Sequence, residues 1–270
     1  MESGASLYQQ AAQSFQQDFA GATRLDLPVE APGREMLLAG LARKPPGLLV
    51  AVGTQAARAA RQRLPTVPLL YCLALNPRLN GLVGESTGGV TLEIEPADQM
   101  AALQKALPRL QRLGVIYDEP GSGARVRQAE KSLRGRVRLV ARSVSTPREA
   151  ARAIPEILGQ VDAFWMLWDP VIANPGNFKL LVDLSLKHRI ALASPAVPFV
   201  EAGALLGLSA DADAAGRRAA QMARQVLAGS KPGDFGAEPA PGPVITFNGQ
   251  IARRLGVPIP RDLPAQVLSP

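Results

Sequence analysis

Short, nearly continuous apolar runs alternate along this chain with amphipathic stretches, and that alternation leaves few architectures open. LLVAVG (48–53), VPLLYCLAL (67–75), RLGVIYD (112–118), DAFWMLW (162–168) and IALAS (190–194) are strand-length and carry little polar alternation. Runs of this kind are expected where a parallel sheet is covered by helices on both faces. Helices are predicted over 6–20, where Ser6 and Gln9 form a capping-box pattern, then over 34–43, from Thr54 as cap to about Arg63, and over 96–107. Further helices are predicted after the Glu119-Pro120-Gly121-Ser122 turn, from Thr146-Pro147-Arg148-Glu149, and over about 176–188. A short strand at 23–27 and a strand VRLVARSV (137–144) complete the reading, with GGVTLEI (88–94) as an extended connector. Two consecutive βα series imply two doubly wound α/β lobes.

Composition narrows the function classes. With 270 residues, 47% apolar, the chain can bury one large core or two of ordinary size, and two lobes is the reading taken. The 25 glycines and 24 prolines punctuate apolar runs instead of clustering, which excludes a low-complexity chain. No run of eighteen apolar residues occurs, and Glu2, Gln9, Gln13, Gln16 and Asp18 interrupt the first twenty, so neither a membrane span nor a signal peptide is expected in the sequence as it stands. The net charge of +7 is spread over several helices, and aromatics make up only 4%, so no nucleic-acid partner is expected. Arg125 to Arg138 is the one dense basic cluster, suited to an acidic partner or a membrane surface. The lone Cys72, in an apolar run, reads as a small buried hydrophobe.

Catalytic constellations are scarce. His188 is the single histidine and reads as a cation at a helix end, so no metal or cofactor is expected and no Ser/His/Asp set assembles. Neither GxGxxG after a strand nor GxxxxGK[ST] occurs; Gly121-Ser122-Gly123 reads as a helix entry. Glu93 and Glu95 point the same way from an extended segment and read as solvated. Ligands of open α/β sheets bind at the carboxyl ends of the strands. Those tips are Gly53-Thr54-Gln55, Asn76-Pro77, Asp118 to Ser122, Trp168-Asp169-Pro170 and Ser194-Pro195, drawn from both series. If the lobes face each other, the tips converge on one cleft, where the helix starts at Ser6, Thr54 and Ser122 would favour a carboxylate. Trp165 and Leu167 share one strand face, Met166 and Trp168 the other. Trp168 and Tyr8 are candidate ligand contacts, with core or hinge packing the alternative.

Several segments together resemble the substrate-binding proteins of ABC transporters, in the group that includes tryptophan-binding lipoproteins. They are GTQAARAA (53–60), Asn76-Pro77 with GLVG, GVTLEIEPADQM, LGVIYDEPGSG, the stretch holding Asp169-Pro170, AGALLGLSADADAAGRRAAQMARQVLAG from Ala202, and VITFNGQIARRLGVPIP. The resemblance covers nearly the whole chain. It implies the type I periplasmic-binding-protein architecture: two Rossmann-like lobes, 1–90 with 208–240 and 91–207 with 241–270, and an interlobe ligand cleft. Chain crossings are implied near 89–92, 205–209 and 239–246. Family members begin with an export signal and a first strand; Met1-Glu2-Ser3-Gly4 supplies neither, so either the start is cut or misassigned or the first lobe lacks that strand. Where the tryptophan-binding branch is similar in having Thr-Pro and Asp-Asn, this chain has Thr54-Gln55 and Asp169-Pro170, and Pro170 brings no amide to orient a ligand.

The resemblance implies a non-catalytic, monomeric solute-binding protein. It would be periplasmic or lipid-anchored outside the cytoplasm, and would deliver a small carboxylated or aromatic, amino-acid-like ligand to an ABC permease by hinge closure. Thr54, Gln55 and Asn76 would hydrogen-bond the ligand from one lobe, and Asp118, Ser122 and Asp169 from the other, with Ser194 at an adjoining tip. Trp168 and Tyr8 would pack on its apolar part, Asp169 would hold an amine, and helix-start amides a carboxylate. A ligand-sensing domain of a regulator or sensor is the alternative, and a sugar- or nucleotide-transforming α/β enzyme a third reading.

Overall fold

In the computed structural model, which describes residues 2–268 with side chains from Leu7 onward, the apolar runs become strands and the amphipathic stretches helices. In chain order the elements are α1 (Glu2–Asp18), α2 (Ala31–Arg43), β1 (Leu49–Val52), α3 (Thr54–Arg63), β2 (Leu69–Ala74) and β3 (Thr87–Ile94). Then come α4 (Pro96–Ala106), β4 (Arg112–Tyr117), α5 (Glu119–Leu133), β5 (Arg138–Ser143), α6 (Pro147–Leu158), β6 (Ala163–Trp165) and α7 (Pro175–His188). The chain continues through β7 (Ala191–Ser194), α8 (Val197–Glu201), β8 (Leu206–Ser209), α9 (Ala212–Leu227) and a 3₁₀ turn at Pro232–Phe235. It closes with β9 (Ala237–Ala240), β10 (Val244–Asn248), α10 (Gly249–Leu255) and β11 (Ala265–Leu268). No helix among the described residues is long and apolar enough to cross a membrane.

Two compact units result, each assembled from separated stretches. The first holds the chain up to Ile94 together with Ala210–Pro241, the second Glu95–Ser209 together with the chain from Gly242.

In the first unit the sheet order is β1-β2-β3-β9, parallel throughout. Helix α1 lays its apolar side, Ala11 and Phe15, on α9, where Gly216 permits the approach: a Cβ there would lie 2.2 Å from the Ala11 carbonyl oxygen. Asp213 of α9 fastens the pair by accepting from Ser14 Oγ (2.5 Å) and Gln10 Nε2 (2.8 Å). Those two bonds hold the Asp213 carboxyl below its ordinary range, the Ser14 hydroxyl most of all.

In the second unit a seven-stranded sheet runs β11-β10-β8-β7-β6-β4-β5, parallel except where β10 meets β8. Alternation of period two divides its core between the two faces. Val115, Trp165 and Leu167 join Met100, Leu103 and Phe247 on one side; Ile116, Phe164 and Met166 join Ile154 and Leu181 on the other. Trp165 is 1% exposed, and its indole Nε1 donates to Gln99 Oε1 at 2.9 Å, so it is a core residue. A fully buried side chain of this size contributes about 1.5–3 kcal/mol.

Several expectations are corrected. GGVTLEI is no connector: it is β3, an interior strand, and its glycines are there because other backbone crowds them. A Cβ on Gly88 would lie 2.0 Å from the Pro232 carbonyl oxygen, and one on Gly89 2.0 Å from that of Tyr71. Residues 23–27 form no strand; Arg24 pairs with Asp26 at 3.1 Å and Leu25 is 49% exposed, so the segment has neither a ladder nor a core to join. β5 is an edge strand whose Arg138 and Ala141–Ser143 are exposed, so cover on both faces fails there. Only Ala163–Trp165 of DAFWMLW is strand. Helix α1 starts at Glu2, ahead of Ser6, whose side chain lies outside the described residues.

Caps also differ from expectation. Thr146 caps α6 as expected, with Oγ1 accepting from the Glu149 amide. The α5 cap, however, is Asp118, accepting from the Gly121 amide, and Ser122 sits inside the helix. Gly53, with φ of 89°, precedes α3, so Thr54 is the first helical residue and its hydroxyl is free for other work. Cys72 is buried, which pushes its thiol up to about 12.

Candidate functional site

The strand tips of the first unit are tied together by side chains. Leu73 in β2 takes a left-handed φ of 57°, and the register of β2 against β3 shifts between Cys72 and Ala74. A left-handed leucine is held only by its surroundings, and a bulge of this kind turns the following residues out of the ladder. The amides freed by that turn are met by two side chains. The Leu75 N–H donates to Thr54 Oγ1 (2.8 Å) and the Asn76 N–H to Glu93 Oε1 (2.9 Å). Asn80 Nδ2 closes the turn by donating to the Leu75 and Asn76 carbonyls (2.8 and 3.1 Å).

Around this knot stand the other first-unit candidates. The Tyr8 ring lies over Gly53, where a Cβ would meet its Cε1 at 3.4 Å, and burial pushes the Tyr8 hydroxyl up. Gln55 is exposed in the first turn of α3. Asn76, half-buried with φ of 46°, makes no hydrogen bond through its side-chain amide among the described residues. The residue before α3, Gly53, has no side chain to cap it, so the first-turn amides get no capping bond from that position.

Glu93 is the residue that sequence reasoning placed wrongly. It was expected to be solvated. Instead its Oε1 holds the Asn76 amide, while its Oε2 is buried with no hydrogen-bond partner among the described residues. Its charge also adds to burial in pushing up the hydroxyl of Tyr71. Glu95 is likewise engaged, accepting from Gln128 Nε2. The signal that would have found Glu93 is its place one residue before the end of an apolar strand, invisible once GGVTLEI is read as a connector.

In the second unit the structure joins Asp118, Ser122 and Asp169. Asp169 is 1% exposed; its Oδ2 accepts from the Asp118 amide (2.9 Å) and its Oδ1 from the Val171 amide (3.0 Å). Both oxygens thus serve backbone, and the side chain is a brace between the β4 and β6 tips. The Ser122 amide donates to the Asp118 carbonyl (2.8 Å), and Ser122 is buried. Ser194 faces inward, its Oγ donating to the Leu206 and Ala196 carbonyls (3.1 and 3.3 Å). Trp168 is half-buried against Phe199 (centroids 5.6 Å apart), which packs in turn on Phe178 (4.9 Å). Phe199, on the short helix α8, carried no sequence signal of its own. Among the described residues no cluster of histidine, cysteine, aspartate or glutamate could hold a metal ion.

Comparison with known proteins places this arrangement. Residues 35–268 match the family model described as ABC transporter substrate binding protein. A tyrosine-binding protein of Clostridioides difficile is 24% identical over 197 residues, 70% of this chain; the aligned stretch spans 56% of that relative's length. Among solved structures, a ligand-free, open substrate-binding protein with adhesive properties from Clostridium difficile superposes with a TM-score of 0.72 at 18% identity. A domain from Streptococcus pneumonia in complex with L-Trp gives 0.66 at 23%. Each covers 97% of this chain and 95% of the other. The resemblance read from the segments and the α/β architecture expected from it are both borne out.

Proposed function

The chain belongs to the ABC transporter substrate-binding protein family, and from that premise we propose that it binds an aromatic, amino-acid-like solute between its two units and hands it to a membrane permease. What supports this reading is a polar knot at the strand tips of the first unit and, within the second unit, an aromatic pair at its own tips. The first unit presents Tyr8, Gln55, Asn76 and an uncapped α3 at its strand tips; the second presents Trp168 on Phe199 beside Asp118. The relative named as tyrosine-binding supports the aromatic class.

The roles follow from what each side chain already does. Gln55 and Asn76 carry unengaged amides for the solute, and the open start of α3 suits its carboxylate, since aligned peptide dipoles and free N–H groups favour an anion there. The start of α5 is already answered by the Asp118 carboxylate. Trp168 and Tyr8 take the apolar body. Thr54, Asp169 and Ser194 act through the backbone they hold, and Ser122 packs as a buried residue of α5. Contacts to both units exist only when the units are closed, so binding shifts an open and closed equilibrium. Residues 1–94 with 210–241 form one lobe and the remainder the other; the protein works as a monomer outside the cytoplasm.

Titration calorimetry of the full chain with L-tyrosine, L-tryptophan, L-phenylalanine, L-leucine and ribose tests the proposal. We expect an aromatic amino acid to bind at least tenfold more tightly than leucine or ribose. Binding of leucine or ribose in preference, or no binding by any aromatic amino acid, overturns it.

A further inference from the structure

Among the described residues three buried side-chain oxygens have no hydrogen-bond partner: Thr87 Oγ1, Thr246 Oγ1 and Glu93 Oε2. Thr87 opens β3, at the strand end opposite the tips, and Thr246 lies within β10. Only Glu93 stands at a strand tip, and it alone is a carboxylate, the group for which an unanswered buried oxygen is costliest. An exception of this kind calls for a specific explanation.

Several neighbouring donors are committed elsewhere, and the unengaged Asn76 side-chain amide makes no bond to Oε2. The Tyr71 hydroxyl donates to the Gly236 carbonyl (3.1 Å), Thr91 Oγ1 to Glu93's own carbonyl oxygen (3.0 Å), and the Asn80 amide to Leu75 and Asn76. The Asn76 amide, fixed by the turn after Leu73, holds the carboxylate by Oε1 and so aims it. Asp169, the carboxylate that sequence reasoning assigned to an amine, has both oxygens filled by backbone amides. The acceptor left over is on Glu93.

We propose that Glu93 receives a protonated amine of the solute, so that the solute class is one bearing an ammonium group, an α-amino acid or its decarboxylated amine, and not the aromatic acid alone. The inference rests on the binding function proposed above. An ammonium brings the donors that Oε2 lacks, and a charge-assisted bond in a buried setting is the strong kind. A solute without the amine leaves that oxygen unanswered and is discriminated against, as sites built for a hydrogen bond reject analogues that lack it.

Calorimetry with three probes separates the outcomes: L-tyrosine, tyramine, which lacks the carboxylate, and 3-(4-hydroxyphenyl)propionate, which lacks the amine. Wild-type protein is expected to bind L-tyrosine at least tenfold more tightly than the propionate. Glu93→Gln is expected to weaken L-tyrosine and tyramine by about 10–100-fold while leaving the propionate within about threefold. Equal wild-type affinity for L-tyrosine and the propionate overturns the inference without any variant, which keeps it testable if Glu93→Gln does not fold. Equal weakening of all three probes also overturns it, because Glu93 would then act only by holding Asn76. In both cases the binding function stands. If wild-type protein binds none of the three, the same series is run on the amine and the acid of whichever aromatic amino acid binds; if none binds, the functional proposal itself fails and the inference falls with it.

Discussion

The contact between α1 and α9 offers a test with its own internal control. A Cβ at Gly216 would lie 2.2 Å from the Ala11 carbonyl oxygen and 3.0 Å from the Phe15 amide nitrogen, where ordinary contact begins at 3.4 Å. The obstacle is backbone, which cannot swing aside as a side chain can, so Gly216→Ala forces the helices apart by more than an ångström. Overpacking of this kind costs about 1–3 kcal/mol, and loosening the Ser14 and Gln10 bonds to Asp213 adds about 0.5–1.5 kcal/mol for each one lost. Alanine returns roughly 1 kcal/mol of helix propensity. The net is a loss of about 2–3 kcal/mol, or roughly 4–12 °C in Tm for a protein of this size. The same substitution at Gly40, in α2 with nothing within 4 Å of its Cβ, keeps only the propensity gain and is expected to raise Tm by about 1–4 °C. Thermal unfolding followed by circular dichroism reads both. A Gly216→Ala protein as stable as wild type, beside a stabilised Gly40→Ala, would refute the argument. Because Tyr8 rides on α1, the Gly216 variant should also bind the proposed aromatic solute more weakly.

Two carboxylates offer further tests. Asp169→Asn turns an amide donor toward either the Asp118 or the Val171 N–H, so it should lower stability by about 1–3 kcal/mol in denaturant titration and weaken solute binding from a buried position; unchanged values of both would refute the bracing role. Asp213→Asn tests linkage. The folded carboxyl is held below its ordinary value of 3.8, chiefly by the Ser14 hydroxyl, so it contributes stability above that value and loses it as pH falls through the folded pKa. The variant should therefore be less stable than wild type at pH 7, with the gap closing below about pH 4; a gap that widens in acid has the wrong sign.

Much of the architecture was legible because its signals are local. Apolar runs gave β1, β2, β4 and β7 within a residue or two, and Thr146-Pro147-Arg148-Glu149 opens α6 in the manner its side chains dictate. What failed depends on distant partners. Gly88 and Gly89 look like a flexible joint until the backbones of Pro232 and Tyr71 are brought against them. Leu25 and Leu27 look like a strand, yet among the described residues no strand pairs with them. Asp169 was found by its place at a tip, but the backbone it braces there, the amide of Asp118, is fifty-one residues away and carries no signal in the sequence. Glu93 was seen and dismissed, since burial of a single carboxylate oxygen is written in the packing and not in the order of residues.

The seam between α1 and α9 also sets a timetable. Gln10 and Ser14 meet Asp213 across 203 and 199 residues of chain, and β9 cannot join β3 until Ala240 has been made. Contacts so distant in sequence form slowly, because the loop must close before they reward it. During synthesis the apolar face of Ala11 and Phe15 has no native partner until α9, Ala212–Leu227, arrives. The first unit is thus closed only after Glu95–Ser209 of the second has been made, and a chaperone that shields α1 would cover apolar surface awaiting its partner.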